Sequence, residues 1–398
     1  MATPARPATP HGVAPKAPLA AIVPPGRDTA LDFWRGFALI SIFINHVSGN
    51  VLEGWTHKNF GFSDAAELFV LFAGYAAACA YSRRYDEQAG ERFNVSLKVM
   101  SRAAGLYTTH LAMLILGSAV FAWAVLRTGD AGLFSVVALD PFLLDPIQAL
   151  VKAVTLSYQP GYLNILPLYF VLIAILPLLL WMGTRSLSAT VALSAALYTA
   201  AGLTKTNLPS YPMEGGWFFN PLSWQFLFTI GFALGAKRER TGLTVPFRRG
   251  PWLLAIGFLA LSLVITVFHL APEAEGVVLR DMLVVPEKQY LSVPRLLHVL
   301  ALAYVVVHSP LQAWAAARPA TSPLAMMGRH SLPVFCTGLM LSMLGVTFRQ
   351  TGHDGAGFDL LYLAFGISMQ VLVAWLLTLA EKRRGTRAVP ATSVVLPS

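Results

Sequence analysis

The chain has 398 residues, of which 56% are hydrophobic and only 12% charged, with a net charge of +9. Soluble domains carry about 25% charged residues, so this composition excludes an ordinary soluble enzyme, a disordered chain and a fibrous one. It points to a protein whose solvent is mostly lipid. Two cysteines, Cys79 and Cys336, lie in apolar runs and exclude a disulfide scaffold or a cysteine-based metal cluster.

Residues 1–29 are rich in Ala and Pro and lack the apolar run of a signal peptide, so they read as an uncleaved, disordered cytoplasmic tail. Ten apolar stretches follow, near 33–51, 64–82, 103–126, 163–183, 187–203, 221–236, 251–270, 296–316, 331–348 and 358–380. Most approach the roughly 20 residues that a helix needs to cross hydrocarbon. Lipid cannot satisfy an open backbone, so each is read as a helix. The expectation is an all-α integral membrane protein of about ten transmembrane helices. Its membrane domain would cover 30–382, its C-terminal tail 383–398, and both termini would be cytoplasmic.

The basic residues support that orientation. Of 29 Lys and Arg, 20 fall in segments placed inside, among them Arg6, Lys16, Arg27, Arg83, Arg84, Arg102, Arg185, Lys237, Arg238, Arg329 and Lys382. Eight fall outside, and Arg35 lies within the first span. This is the positive-inside bias, so the basic balance is topological and excludes a nucleic-acid partner. Two outer connections are long, about 127–162 and 271–295. They carry no strong helix pattern, Pro141, Pro146 and Pro160 interrupt the first with Pro167 just beyond it, and loops of that length are often functional.

Ionisable residues inside spans are costly and mark function. The first span holds Asp32, Arg35, Asn45 and His46. Eleven residues separate Arg35 from His46, about three turns plus about 20°, so both share a face about 16 Å apart. Asp32 is three residues before Arg35 and joins that face, where the pair also serves as a simple helix cap. The second span opens with Ser63, Asp64 and Glu67. Ser63 and Asp64 suit a helix start. Capping does not account for Glu67, one turn deeper. The short connection brings Asp64 and Glu67 towards His46. A carboxylate on one imidazole nitrogen is the wiring of a general base or nucleophile. Asn45 is placed to orient a group or donate to an oxyanion. Arg295 and His298 open the eighth span and line the same outer side, whereas His110 lies nearer the inner side. No metal-ligand spacing, P-loop, dinucleotide fingerprint or nucleophile elbow occurs.

Arg35, a ten-residue gap and His46 resemble the signature of the acyltransferase-3 superfamily. LDFWRGFALISIFINH (31–46), NFGFSDAAELFVLFAGY (59–75), YLNILPLYFVL (162–172), WFFNPLSWQFLFTIG (217–231), PRLLHVLALAY (294–304) and GRHSLPVFCTG (328–338) resemble the OpgC family. That family is implicated in succinylating osmoregulated periplasmic glucans. The resemblance implies a bacterial inner-membrane O-acyltransferase. Acyl-CoA, most simply succinyl-CoA, would be its cytoplasmic donor, a periplasmic glucan its acceptor and the lipid bilayer its surroundings, with no tightly bound cofactor. On it, His46 is the base, held by Asp64 or Glu67, and Arg35 faces the donor. Arg84, Arg102 and Arg329 are candidates for the CoA phosphates, Arg295 for the carboxylate of a succinyl group. Trp217, Phe218 and Tyr162 could stack on sugars, or serve as a membrane aromatic belt. The same scaffold suits acetyl transfer to another envelope polysaccharide. A proton-coupled saccharide carrier would also place polar residues along one helix face.

Overall fold

Hydrocarbon offers a backbone amide no partner, so each apolar stretch must close its hydrogen bonds internally. The computed structural model describes residues 28–387 apart from 88, 213, 243 and 244, with side chains as far as 383. It begins with α1 (Thr29–His46), α2 (Ala65–Glu87) and α3 (Arg92–Thr128). Three short helices occupy the next connection: α4 (Leu133–Val136), α5 (Pro141–Leu144) and α6 (Pro146–Val154). Then come α7 (Ile165–Ala174), α8 (Leu176–Arg185), α9 (Leu187–Thr204), α10 (Pro221–Thr241) and α11 (Arg249–Val267). The chain ends with α12 (Val278–Val284), α13 (Val293–Val307), α14 (Pro310–Ala316), α15 (Pro323–Arg329), α16 (Ser331–Gln350) and α17 (Ala356–Arg387). Among the described residues, the only β pairing is a bridge between Tyr158 and Tyr211. Of the expected tails, 1–29 and 383–398, residues 1–27 (with Arg6, Lys16 and Arg27) and 388–398 lie outside the described residues, while Thr29 opens α1 and α17 continues to Arg387.

Each of the ten apolar stretches falls on one of these helices or on a consecutive pair. By length and composition six can cross a membrane: α2, α3, α9, α11, α16 and α17. The pairs α7–α8 and α13–α14, bent by 42° and 70°, raise that to eight. Pro177, two residues past the break at Ile175, lacks the N–H that would continue α7. The count stops short of ten because α1 carries Asp32, Arg35, Asn45 and His46, and α10 ends in a basic run. The long connection at 127–162 also differs from expectation. Pro141 and Pro146 do not break helices there; each sits in the first turn of one, where its missing N–H costs nothing.

Glycines set the closest helix contacts. A Cβ on Gly74 or Gly231 would collide with the carbonyls of Phe228 and Leu71 respectively, so α2 and α10 lie backbone against backbone. A Cβ on Gly36 would meet the Leu324 carbonyl and one on Gly328 the Asp32 carbonyl, which locks α1 to α15. Of the apolar window of α2, 61% is buried, against 6% for α11, so α2 is central and α11 peripheral. Trp224, Phe228 and Phe232 of α10 fill the core beside it. Gly231→Ala should therefore force α2 and α10 apart, at a cost of about 1–3 kcal/mol for overpacking. Thermal unfolding in detergent checks this. An unchanged melting temperature would show that the contact relaxes freely.

Candidate active site at the two ends of α1

At its C-terminal end α1 is capped by the Val47 N–H, which donates to the Phe43 carbonyl at 3.2 Å. Asn50 Nδ2 donates to the carbonyls of Ile44 and Val47 at 2.7 and 2.6 Å. Arg349 of α16 is ion-paired with the buried Asp359 of α17. That pair grips the turn: Arg349 donates to the Gly49 carbonyl at 2.7 Å, and Asp359 accepts the Val51 N–H at 3.0 Å. The clamp holds the turn that follows His46. The His46 imidazole lies edge-on to the Tyr162 ring, with centroids 5.0 Å apart, and its Nδ1 is buried without a hydrogen-bond partner. Tyr162 holds φ at +71°, a conformation uncommon outside glycine. Asn45 Oδ1 accepts the Thr56 hydroxyl at 2.6 Å, so Asn45 anchors the turn.

The expected bond from a carboxylate to His46 is not what the described residues form. Glu67 is fully buried and accepts Arg295 Nε at 2.7 Å and the Asp64 N–H at 2.9 Å. Asp64 pairs with Lys288, lies 3.3 Å from Arg295 Nη2 and accepts the Ala66 N–H at 2.8 Å. A buried carboxylate holds a permanent cation more strongly than a neutral imidazole, and the cations come from α13 and the segment before it. Arg295 is thereby committed to two carboxylates and is not open to the carboxylate of a succinyl group.

His298 is 4% exposed, and its Nδ1 lies 2.7 Å from Ser63 Oγ and 3.3 Å from the Ser63 N–H. A backbone N–H can only donate, so Nδ1 is the acceptor and Nε2 carries the proton. A Cβ on Gly61 would strike the His298 ring. Ser63 therefore serves His298, and the carboxylate of Asp64 accepts one backbone amide at the start of α2, that of Ala66. A cavity of about 280 Å³ opens beside them, lined by Gly61, Phe62, Thr266, His269, Pro286 and Arg295. Nearby, burial pulls the His57 imidazole below its ordinary value. Trp217 is 4% exposed, its indole packed inside, and its carbonyl accepts from Asn207 and Gln289. It is not free to stack on a sugar; the exposed ring is Phe218, with Lys288 Nζ 5.7 Å above it.

The other end of α1 faces a cavity of about 480 Å³ lined by Asp28, Asp32, Arg35, Tyr81, Arg102, Tyr169 and Arg238 among others. Arg35 donates to Ser331 Oγ and lies 3.9 Å from Asp32. Arg102 donates to the Tyr169 hydroxyl at 3.4 Å. Arg238 pairs with Asp28 at 3.2 Å and sits over the Tyr75 ring. In the sequence Arg238 looked like one more charge in a basic run, and nothing local marked it. Arg84 pairs with Glu91 at 2.7 Å on the surface, and Arg329 pairs with Glu381, so neither lines the cavity. His110 is fully buried on the apolar face of α3, with neither ring nitrogen bonded, and joins neither end. Among the described residues no group of metal-ligating side chains comes together.

A bundle of apolar helices enclosing ion pairs and polar cavities defines a multi-pass helical membrane protein. A family model described as OpgC protein matches residues 27–382, and the chain belongs to that family. Membership points to an acyltransferase engaged in glucan modification. No curated protein and no solved structure matches the chain.

The charge cluster makes a stability prediction. Arg295→Ala should leave Glu67 buried without its cation and destabilise the protein by about 3–5 kcal/mol. Glu67→Gln in the Arg295→Ala background should restore much of that loss, read as detergent melting temperature. A double variant no more stable than Arg295→Ala would show that the pair is not the source of the effect.

Proposed function

We propose that this protein transfers an acyl group, succinyl in the simplest reading, from cytoplasmic acyl-CoA to hydroxyls of a periplasmic glucan. On this reading ten helical segments cross the bacterial inner membrane with both termini inside, α1 and α10 being spans whose polar residues face the bundle. The observation that carries it is the division of α1. Arg35 stands in a polar cavity at one end, and His46 stands about 16 Å away at the other with an unpartnered buried nitrogen.

The inner cavity receives the donor. Arg102 and Arg238 at its walls suit phosphate groups, and the pantetheine arm runs past Arg35 along α1 to carry the thioester to His46. At the outer end the acceptor hydroxyl meets His46 Nδ1, which takes its proton as the oxygen attacks the thioester carbonyl. The new ester C–O bond forms, the C–S bond breaks, and the thiolate leaves to be protonated as free CoA. Tyr162 and the clamped turn hold the imidazole in place of a carboxylate. Lys288, whose side chain is 27% exposed against 11% for Arg295, takes over as the more accessible cation for a charged acyl group.

The direct test is mass spectrometry of glucans from a host that makes them but lacks its own enzyme of this kind, carrying vector, wild type or His46→Ala at matched membrane levels. A succinyl-mass ester with wild type alone supports the reading in full. An acetyl mass keeps the mechanism and changes the donor. Unmodified glucans throughout refute it and favour another polysaccharide or a carrier. Arg238→Ala should raise the KM for acyl-CoA about tenfold with the acceptor dependence unchanged. An unaltered donor KM would remove Arg238 from the donor site.

A further inference from the structure

We propose that α6 (Pro146–Val154), in the long connection after α3, lies within the lipid bilayer as the deepest part of a re-entrant segment, with its large aliphatic side chains facing acyl chains. This rests on the chain being a membrane protein and not on the reaction proposed above. α6 is inside out for a helix on a water-facing loop. Ile147, Leu150, Val151 and Val154 recur at i, i+3, i+4 and i+7, which is one helix face. They are 77%, 59%, 54% and 46% exposed, while Ala149 and Ala153, turned to the protein, are fully buried. Leu143 and Leu144 extend the apolar surface, and Lys152 has a stem long enough to carry its charge out of it.

Tyr107 of α3 sets the depth. Its hydroxyl donates to the Val154 carbonyl at 2.8 Å. Tyr107 lies 21 residues before Thr128, where α3 ends, about 30 Å along the axis. That is the scale of a hydrocarbon core. The end of α6 is therefore far below the level at which the connection leaves α3. Exposed Ile115, Leu116, Trp123 and Leu126 of α3 lie between the two levels, so α6 continues a surface that a span already turns to lipid.

The C-terminal end of α6 meets the condition that lipid imposes. Asp145 accepts the Gln148 N–H at 3.0 Å at the start of α6. At its end the Val151 carbonyl accepts from Thr155, that of Lys152 from the Tyr158 N–H, that of Ala153 from the Leu156 N–H, and that of Val154 from Tyr107. Helix-end carbonyls left to water would be costly in hydrocarbon, and here each has a protein donor. The segment then returns and delivers Tyr162 to His46. The Tyr158 hydroxyl on the Ala138 carbonyl and the Gly161 N–H on that of Val137 fasten it to its own descending arm.

Single cysteines at 147, 150 and 154 (Ile147→Cys, Leu150→Cys, Val154→Cys), in a Cys79→Ala/Cys336→Ala background, test the placement. Ala274→Cys and Asp354→Cys, in exposed connections, serve as controls. In intact membranes, a charged impermeant maleimide applied to the outer face should label the three positions at least about tenfold more slowly than the controls, because a thiol without water forms no thiolate. All should label fully after SDS. Reaction at the control rate would overturn the proposal, since the face would then meet water. Slow reaction accompanied by disulfide-linked dimers on oxidation would overturn it too, because a second copy would be the occupant. Three independent positions keep the test decisive if one variant does not accumulate.

Discussion

A charge buried in this bundle must bring its own countercharge, and that requirement organises the rest. Desolvating a single ion costs several kcal/mol, which only a close partner with good geometry repays. Arg295 with Glu67 and Asp64 therefore joins α13 to α2, Arg349 with Asp359 joins α16 to α17, and Arg35 joins α1 to α16 through Ser331. Two of these links tie helices distant in sequence and the third fastens neighbours, so such contacts act as register marks for an otherwise slippery apolar assembly. A neutral imidazole escapes the full penalty. His46 can thus keep an open nitrogen in surroundings where every nearby carboxylate is claimed by a cation.

α1 is the rod that carries both Arg35 and His46, and its rigidity comes from close approach. Gly36 and Gly328 let α15 press against its lower half, and the Arg349–Asp359 clamp fixes the turn above its upper end. The α2–α10 contact at Gly74 and Gly231 does the same for the helix that carries Glu67. Packing by small residues suits a bundle in lipid, where apolar side chains gain little by leaving their solvent and backbone proximity supplies the van der Waals contact instead. The peripheral α11 and the outward face of α6 show the other side of the same logic, with large aliphatic residues outside and small ones within.

Much of this was legible in the chain. The ten apolar stretches all became helices, because a run of apolar residues in lipid has one way to satisfy its backbone. Arg35 and His46 stood out because an ionisable residue in such a run is expensive, and helical rise alone gave their separation. Asp64 and Glu67 stood out for the same reason, yet their partners did not. The sequence puts them near His46, and the folded chain gives them to Arg295 and Lys288, more than 200 residues away along the chain. Trp217 read as a surface aromatic and is buried, since burial depends on what a loop packs against. Arg238 and Ser63 went unnoticed for complementary reasons. One was hidden in a basic run, and the other looked like a helix cap.

The amino-acid sequence by itself determined the class of protein, the helices and the rarity of the polar groups within them, because composition and periodicity are local and lipid tolerates few answers. Only the tertiary structure decided which charges pair, that α6 turns its apolar face outward, and that the His46 nitrogen stays open. Those outcomes rest on distances between segments far apart in the chain. An ion pair or a buried face is a property of what meets in space.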